Sequence, residues 1–406
     1  MSGLRLLAGP ELSTGAERLH AHVQRLGPTP VVGLSLVEVL AKSGLTGRGG
    51  ASFPVARKWR SVAHAGGGPA IVVNGAEGEP QSLKDRVLMT TRPHLVLDGA
   101  LLAARALKAS SIALYIGEDH QAAWAAISGA LAERPEPEMH RVRLVAAPAR
   151  YVAGESSAAV NLLENSIASP TTKPPHPHVA GVGGAPTLVQ NVETLAHVAL
   201  IARYGADWFR SAGRRGGAGT VLVTVAGAVP SPGVVEIEAG TTVGEVLQMA
   251  GATDPTARAV LIGGYFGAWV DFAVAQELPL DPAGLHERGL SLGCGVVGVI
   301  SSRGCGVCET ARIMRYLAGE SSAQCGPCFF GLRALADACE RIAEKGTNPT
   351  DLARLHRWAG EVRGRGACRH PDGAVVFLQS ALHTFAPEFS SHPAHWRAQP
   401  GRRGVG

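Results

Sequence analysis

Between residues 70 and 148 short apolar runs alternate with longer segments of helical spacing, and that alternation leaves few architectures open. AIVVNG (70–75), SIALYIG (111–117) and HRVRLVAAP (140–148) read as strands; HLVLDGALLAARALKA (94–109) and HQAAWAAISGALAE (120–133) read as the helices between them. Strands and helices of these lengths taken in turn predict βαβ units around a largely parallel sheet. A further helix is expected over SLVEVLAKSG (35–44), with Ser35 at its start and Gly44 as its stop. Ligands of such sheets sit at the carboxyl ends of strands, which here run into VVNGAEGEP (72–80) and YIGED (115–119). This α/β N-terminal domain is expected over residues 34–215.

The rest of the chain has a different texture. Residues 1–33 read as a loose lead-in with one short helix around GAERLHAHVQRL. Over 216–300 a hairpin turning at Pro230-Ser231-Pro232-Gly233, followed by a short helix, predicts a small α+β module. ETARIMRYLAGES, FFGLRALADACERIAEKG, TDLARLHRWAGEV and VFLQSALHTFAPEF predict a helical bundle over 301–390. With 46% hydrophobic and 17% charged residues the chain is globular, and 52 glycines and 26 prolines foretell many turns and close backbone approaches to ligands. The net charge of +5 is scattered apart from RAQPGRRGV in a basic tail (391–406), so no nucleic-acid partner is expected. No apolar stretch reaches the ~18–20 residues of a membrane span, and the first residues lack a signal-peptide core. The expected setting is cytoplasmic, peripheral at most to a membrane complex.

All seven cysteines, at 294, 305, 308, 325, 328, 339 and 368, lie in the last third of the chain. An odd, clustered set without an export signal points to metal or redox chemistry. In ESSAQCGPC (320–328), Cys325 and Cys328 are spaced to hold a metal centre, and Ser322 stands where a third cysteine would complete C-x-x-C-x-x-C. CGVC (305–308) and CGPC (325–328) together satisfy a zinc-ribbon template. A helix between the pairs would, however, hold them ~15–20 Å apart at 1.5 Å per residue. CGPC is also the form of a thioredoxin dithiol, although the segment before it reads as helix and not as strand. Cys294 and Cys339 lie on apolar runs and read as buried.

Two loops are dense in chemistry. GLTGRGGASFP (44–54) places four glycines within seven residues, a backbone able to turn successive amides on an anion. NGAEGEPQSLKDR (74–86) carries an asparagine, two carboxylates two positions apart and the Lys84-Asp85-Arg86 run. Lys58-Trp59 adds a cation and an indole suited to a nucleotide. Taken with YVAGESSAAVNLLEN (151–165), TKPPHP (172–177) and GAPTLVQNVETLAHV (184–198), these stretches resemble, in order, the NADH-binding, FMN-containing flavoprotein subunit of respiratory complex I. Counterparts of that subunit occur in NAD-reducing hydrogenases and formate dehydrogenases.

The resemblance implies an SLBB (ubiquitin-like) module over 216–300 and an iron–sulfur-binding bundle after it. It implies FMN held by Gly47, Arg48, Gly49, Gly50, Asn74, Glu77, Tyr151, Gly154, Glu155, Asn191 and Thr194, with the Arg48 charge against the phosphate. Phe53, Lys58, Glu79 and Lys173 fall on the NADH side, Glu79 orienting the nicotinamide and so the residue nearest to a catalytic one. Cys325, Cys328 and Cys368 match three cluster ligands and Ser322 takes the place of the fourth, for a 4Fe-4S or, with serine, a 3Fe-4S centre. The implied activity is an NADH dehydrogenase. NAD(H) or NADP(H) is oxidised at FMN and electrons leave singly for an electron-accepting iron–sulfur protein or ferredoxin-like subunit.

Departures from the family pattern fall at Ala76, Ser156, Gln190, Ser61 and His176. Ser156 replaces a carboxylate that would repel a 2′-phosphate, so its loss admits NADPH. Taken with Ser322, the substitutions also fit a degenerate scaffold that binds nucleotide or a partner without turnover.

Overall fold

The structure is a computed structural model and describes residues 3–252 and 257–394. The basic run at 397–405 lies outside the described residues. The chain divides into two compact units, residues 1–223 with 234–241 and 279–284, and residues 224–233 with 242–278 and 285–406. Residues 216–300 are therefore shared between the two units.

The first unit runs α1 (Leu19–Leu26), α2 (Leu36–Ser43), α3 (Val55–Ala65), β1 (Ala70–Gly75), α4 (Lys84–Thr91), α5 (Pro93–Leu107), β2 (Ser111–Gly117) and α6 (Gln121–Glu133). It continues with β3 (Val142–Ala147), α7 (Ser156–Asn165), β4 (Thr187–Asn191), α8 (Val192–Arg210), the first half of β5 (Thr220–Gly227), and β6 (Gly233–Glu238). Strands β1 to β4 form one sheet in the order β3-β2-β1-β4, every pair parallel. Strands buried on both faces need apolar runs rather than alternation, and β1 and β2 have them. α5 is buried almost throughout. It lies so close to α8 that a Cβ at Gly99 would stand 2.1 Å from the Leu195 carbonyl oxygen, so only glycine fits there.

The expected loose lead-in is instead tied down. Leu6 and Leu7 are buried, and the Glu236 carboxylate accepts the backbone N–H groups of Arg5, Leu6 and Leu7 at 2.9–3.0 Å. Behind it, buried Asp98 on α5 gathers His22 (2.8 Å), Thr29 (2.8 Å), Arg134 (2.6 Å) and Arg203 (2.5 Å). A carboxylate so far from water is held only where cations and donors surround it, and two of these donors come from the lead-in.

The second unit holds the rest of β5, α9 (Val243–Met249), β7 (Ala257–Ile262), β8 (Ala268–Asp271), α10 (Phe272–Ala275) and, after α11 (Pro282–His286), β9 (Val296–Ser301). β9 pairs in parallel with Thr224–Gly227 and antiparallel with β7, which pairs antiparallel with β8. The Thr242–Glu245 capping box opens α9. Then come α12 (Gly306–Gly319), a π-helical turn over Pro327–Leu332, α13 (Arg333–Lys345), α14 (Pro349–Val362), α15 (His370–Thr384) and α16 (Ala386–Ser391). Among the described residues no helix is long and apolar enough to cross a membrane.

Candidate functional site: glycine loops and a cysteine loop

In the first unit the carboxyl ends of β1 and β4 place Asn74 and Asn191 opposite one another in register. The Asn74 amide donates to the Gly154 carbonyl at 2.8 Å and accepts from Ala76 N. The Asn191 side chain caps α8, accepting from Glu193 N and Thr194 N, and donates to Asp85 at 2.6 Å. The glycine loop folds onto this helix start, its Arg48 N–H donating to Thr194 Oγ1 at 2.9 Å. A Cβ on Gly49 would come within 3.3 Å of Asn191 Cβ, and one on Gly78 within 2.9 Å of the Arg150 and Tyr151 carbonyls. Three loops, 47–50, 75–79 and 151–155, thus converge presenting backbone in place of side chains. A flat ring on a ribityl phosphate asks for such a cradle, and these residues fit FMN.

Individual roles differ from expectation. The Arg48 guanidinium does not face outward toward a phosphate. It is buried and turned inward to Thr46 Oγ1 and the Thr220 carbonyl, with Glu193 3.9 Å away. Glu77, at a left-handed φ of 40°, accepts from Ser82 Oγ and from the first amides of α4, Asp85 N and Arg86 N, at 2.6–2.9 Å. It shapes the loop through the helix start. Glu79 is buried and accepts from the Tyr151 hydroxyl at 3.1 Å. Trp59, read as a nucleotide platform, is wholly buried core. Phe53 beside it in sequence is exposed, with the Arg57 guanidinium 5.7 Å from its ring.

Lys58 Nζ donates to the Val189 carbonyl, and burial together with the Lys173 charge pulls its pKa down to about 8. Lys173 pairs with Glu155 at 2.6 Å. Glu155 also caps α7 and accepts from Ser157 N. Against the cost of burial, these partners hold its carboxyl below the usual range. Ser156 donates to Glu155 at 3.2 Å. His176, one of the departures from the family pattern, stacks on His178 at 5.5 Å and 14°.

A charge cluster built on Lys84 and Asp85 of the second loop lies beneath the asparagines. Lys84 Nζ, buried, reaches Asp85 at 2.6 Å and Glu193 at 2.9 Å. Burial, opposed by Lys84 and reinforced by Glu77 and Glu193, pushes the Asp85 carboxyl up to about 7. No local pattern marks such residues as buried; the only sequence signal is their place directly after a strand-end loop.

In the second unit Cys325, Cys328 and Cys368 come together. The Cys328 thiol is hydrogen-bonded to Cys368 and to Cys325, and those contacts with burial raise its pKa strongly. Three adjacent sulfurs are the donor set of an iron–sulfur centre and fit one. The Ser322 hydroxyl, half-buried, donates to Gln324. His370, two residues after Cys368, has Nε2 2.7 Å from the Leu317 carbonyl. Cys305 and Cys308 form a separate pair at the start of the 14-residue α12, so one zinc does not bridge the two CxxC motifs. Cys339 is fully buried, as expected, whereas Cys294 is only half-buried.

Residues 40–200 match the family described as the Nuo51 FMN-binding domain, 222–264 the SLBB domain, and 309–392 the NADH-ubiquinone oxidoreductase-F iron-sulfur binding region. The chain is 34% identical to the second NADH-quinone oxidoreductase F subunit of Rhizobium meliloti (strain 1021), over 88% of each protein. It is 32% identical to the NADH-quinone oxidoreductase F subunit of Streptomyces coelicolor, over 88% of this chain and 82% of the relative. Among solved structures, a chain of an NAD+-reducing [NiFe]-hydrogenase in the air-oxidised state matches with a TM-score of 0.80 at 30% identity, covering 94% of this chain and 69% of that one. With its glycine loops, its asparagine pair and its cysteine loop all inside the matched regions, the chain belongs to the family of NADH-quinone oxidoreductase F subunits.

Proposed function

We propose that the chain is an electron-entry flavoprotein, oxidising NADH or NADPH at FMN and passing electrons through a C-terminal iron–sulfur centre to a partner. The observation that carries this reading is the in-register Asn74–Asn191 pair under a glycine loop pinned to α8 by the Arg48–Thr194 bond. Bound FMN would supply the conversion that no side chain can perform, accepting a hydride as an electron pair and yielding electrons singly. The protein's part is placement. Backbone at Gly49 and Gly50, packed on the Asn191-capped start of α8, receives the phosphate, Asn74 and Gly154 border the ring, and Glu79, fixed by Tyr151, orients the nicotinamide. Exposed Phe53 with Lys58 and Lys173 receives the dinucleotide.

Cys325, Cys328 and Cys368 would hold the cluster, with Ser322 at the fourth position. The acceptor proposed is an iron–sulfur or ferredoxin-like subunit, in a cytoplasmic setting. Serine at 156, where a carboxylate would repel a 2′-phosphate, supports use of NADPH at least equal to that of NADH. A thousandfold preference for NADH in kcat/KM would refute that. The flavin reading is tested by reconstitution: protein incubated with FMN is expected to retain a yellow chromophore that NAD(P)H bleaches without oxygen. Well-folded protein that stays colourless in excess FMN would overturn it and leave the scaffold reading.

A further inference from the structure

The CGVC pair precedes the matched iron–sulfur region, which begins at residue 309, and nothing in the flavin or cluster chemistry uses it. The structure holds Cys305 and Cys308 as a disulfide with Cα atoms 5.3 Å apart. A third donor stands over them: His392 Nε2 is 3.9 Å from Cys308 Sγ, and one ligand atom of each of the three residues falls within 4.8 Å of the others. The histidine is distant in sequence and fixed in place. Its backbone N–H donates to Thr347 Oγ1 at 2.7 Å, and its carbonyl accepts from Thr347 N at 2.9 Å.

We propose that Cys305, Cys308 and His392 form a binding site for a soft divalent cation, zinc above all, that opens when the disulfide is reduced. Zn–S near 2.3 Å and Zn–N near 2.0 Å in a tetrahedron require donor atoms roughly 3.5–3.8 Å apart, the range these side chains reach once the sulfurs separate. Cys305 is the N-cap of α12 and its sulfur accepts the Cys308 N–H at 3.1 Å, an arrangement that favours thiolate. The base is rigid, since a Cβ on Gly306 would collide with the Phe385 ring at 2.4 Å. Glu388 is already committed to Gly306 N and Arg258, which leaves the fourth position to water.

The step balances. A cellular dithiol becomes a disulfide as the Cys305–Cys308 bond takes up two electrons and two protons, and zinc then displaces two protons from the thiols. A low-molecular-weight disulfide, reduced to two thiols as it takes the electron pair, reverses this and expels the metal, so the site reads thiol redox state in a protein that handles electrons by a different route.

The test uses the full chain, reduced anaerobically by a water-soluble phosphine (oxidised to its oxide with oxygen from water) and then freed of it. Zinc is titrated against a chromophoric chelator, with iron counted separately. The reduced protein is expected to take up one equivalent of zinc more than the Cys305→Ser/Cys308→Ser variant, and the oxidised protein to lack that equivalent. His392→Ala is expected to weaken binding tenfold or more, leaving iron content unchanged. Cobalt in place of zinc is expected to give thiolate charge-transfer bands with the native sequence, which tests the site even where a variant folds poorly. Equal zinc uptake by the native protein and the double serine variant would overturn the proposal, as would affinity indifferent to His392. Cobalt bound without thiolate bands would do so as well.

Discussion

The glycine-loop site and the cysteine loop both fit a cofactor, but they are held ready by opposite means. The Asn74 and Asn191 side-chain amides already have protein partners, and the cradle stands on a buried lysine shared between Asp85 and Glu193. Around Cys325 the donors are three thiols hydrogen-bonded among themselves, at the start of a π-helical turn. The first site is a consequence of folding. The second acquires its full bonding only with the metal, because thiols in contact gain little until they ionise onto iron.

That contrast is most exposed to refutation at Cys368. Cys368→Ala is expected to abolish iron binding almost entirely while flavin retention stays unchanged, measured by iron analysis and visible absorbance on one sample. Retained iron would break the assignment of the cysteine loop. Next in size, Lys84→Met removes the one cation Asp85 and Glu193 share and is expected to cost about 3–5 kcal/mol in urea unfolding, with flavin affinity falling alongside. A loss under 1 kcal/mol would show that the cradle does not rest on that cluster. Ser322→Ala, at the other site, is expected to change stability by less than about 0.5 kcal/mol.

Acid bears on the first unit through two buried carboxyls outside either site. Despite burial, His22 and Arg25 hold the Glu17 carboxyl down to about 2, and Asp98 is depressed by His22, Arg134 and Arg203. Carboxyl pKa values below those of the unfolded chain mean stability fully present above about pH 4.3 and lost as pH falls toward 2. Circular dichroism across that window is expected to show first-unit loss that Glu17→Gln reduces. The smallest expected effect is a change of tuning: Ser322→Cys supplies a fourth thiolate and is expected to lower the cluster's reduction potential, read by EPR-monitored titration. An unchanged potential and spectrum would remove Ser322 from the ligand set.

Much of this was legible because it is local. Strand runs such as AIVVNG, glycine clusters and the CGPC spacing carry their meaning within a dozen residues. Burial of charge does not. Lys84 and Asp85 look like any solvated loop until Glu193, more than a hundred positions later, is folded over them. The inward turn of Arg48 depends likewise on Thr220 and Glu193. His392 lies 84 residues from Cys308, and no spacing rule joins them. The lead-in looked loose because its anchors, Glu236 and Asp98, belong to distant segments.

The three consecutive amides that end on Glu236 have a practical corollary. Clipping the first seven residues strips a sunken acid of the dipoles that offset its charge, and the damage would surface at a strand some 230 positions downstream. A protein trimmed there would keep almost all of its mass, yet melt early. Residues 5–7 are a latch, and a change that leaves their three amides in place leaves the latch closed.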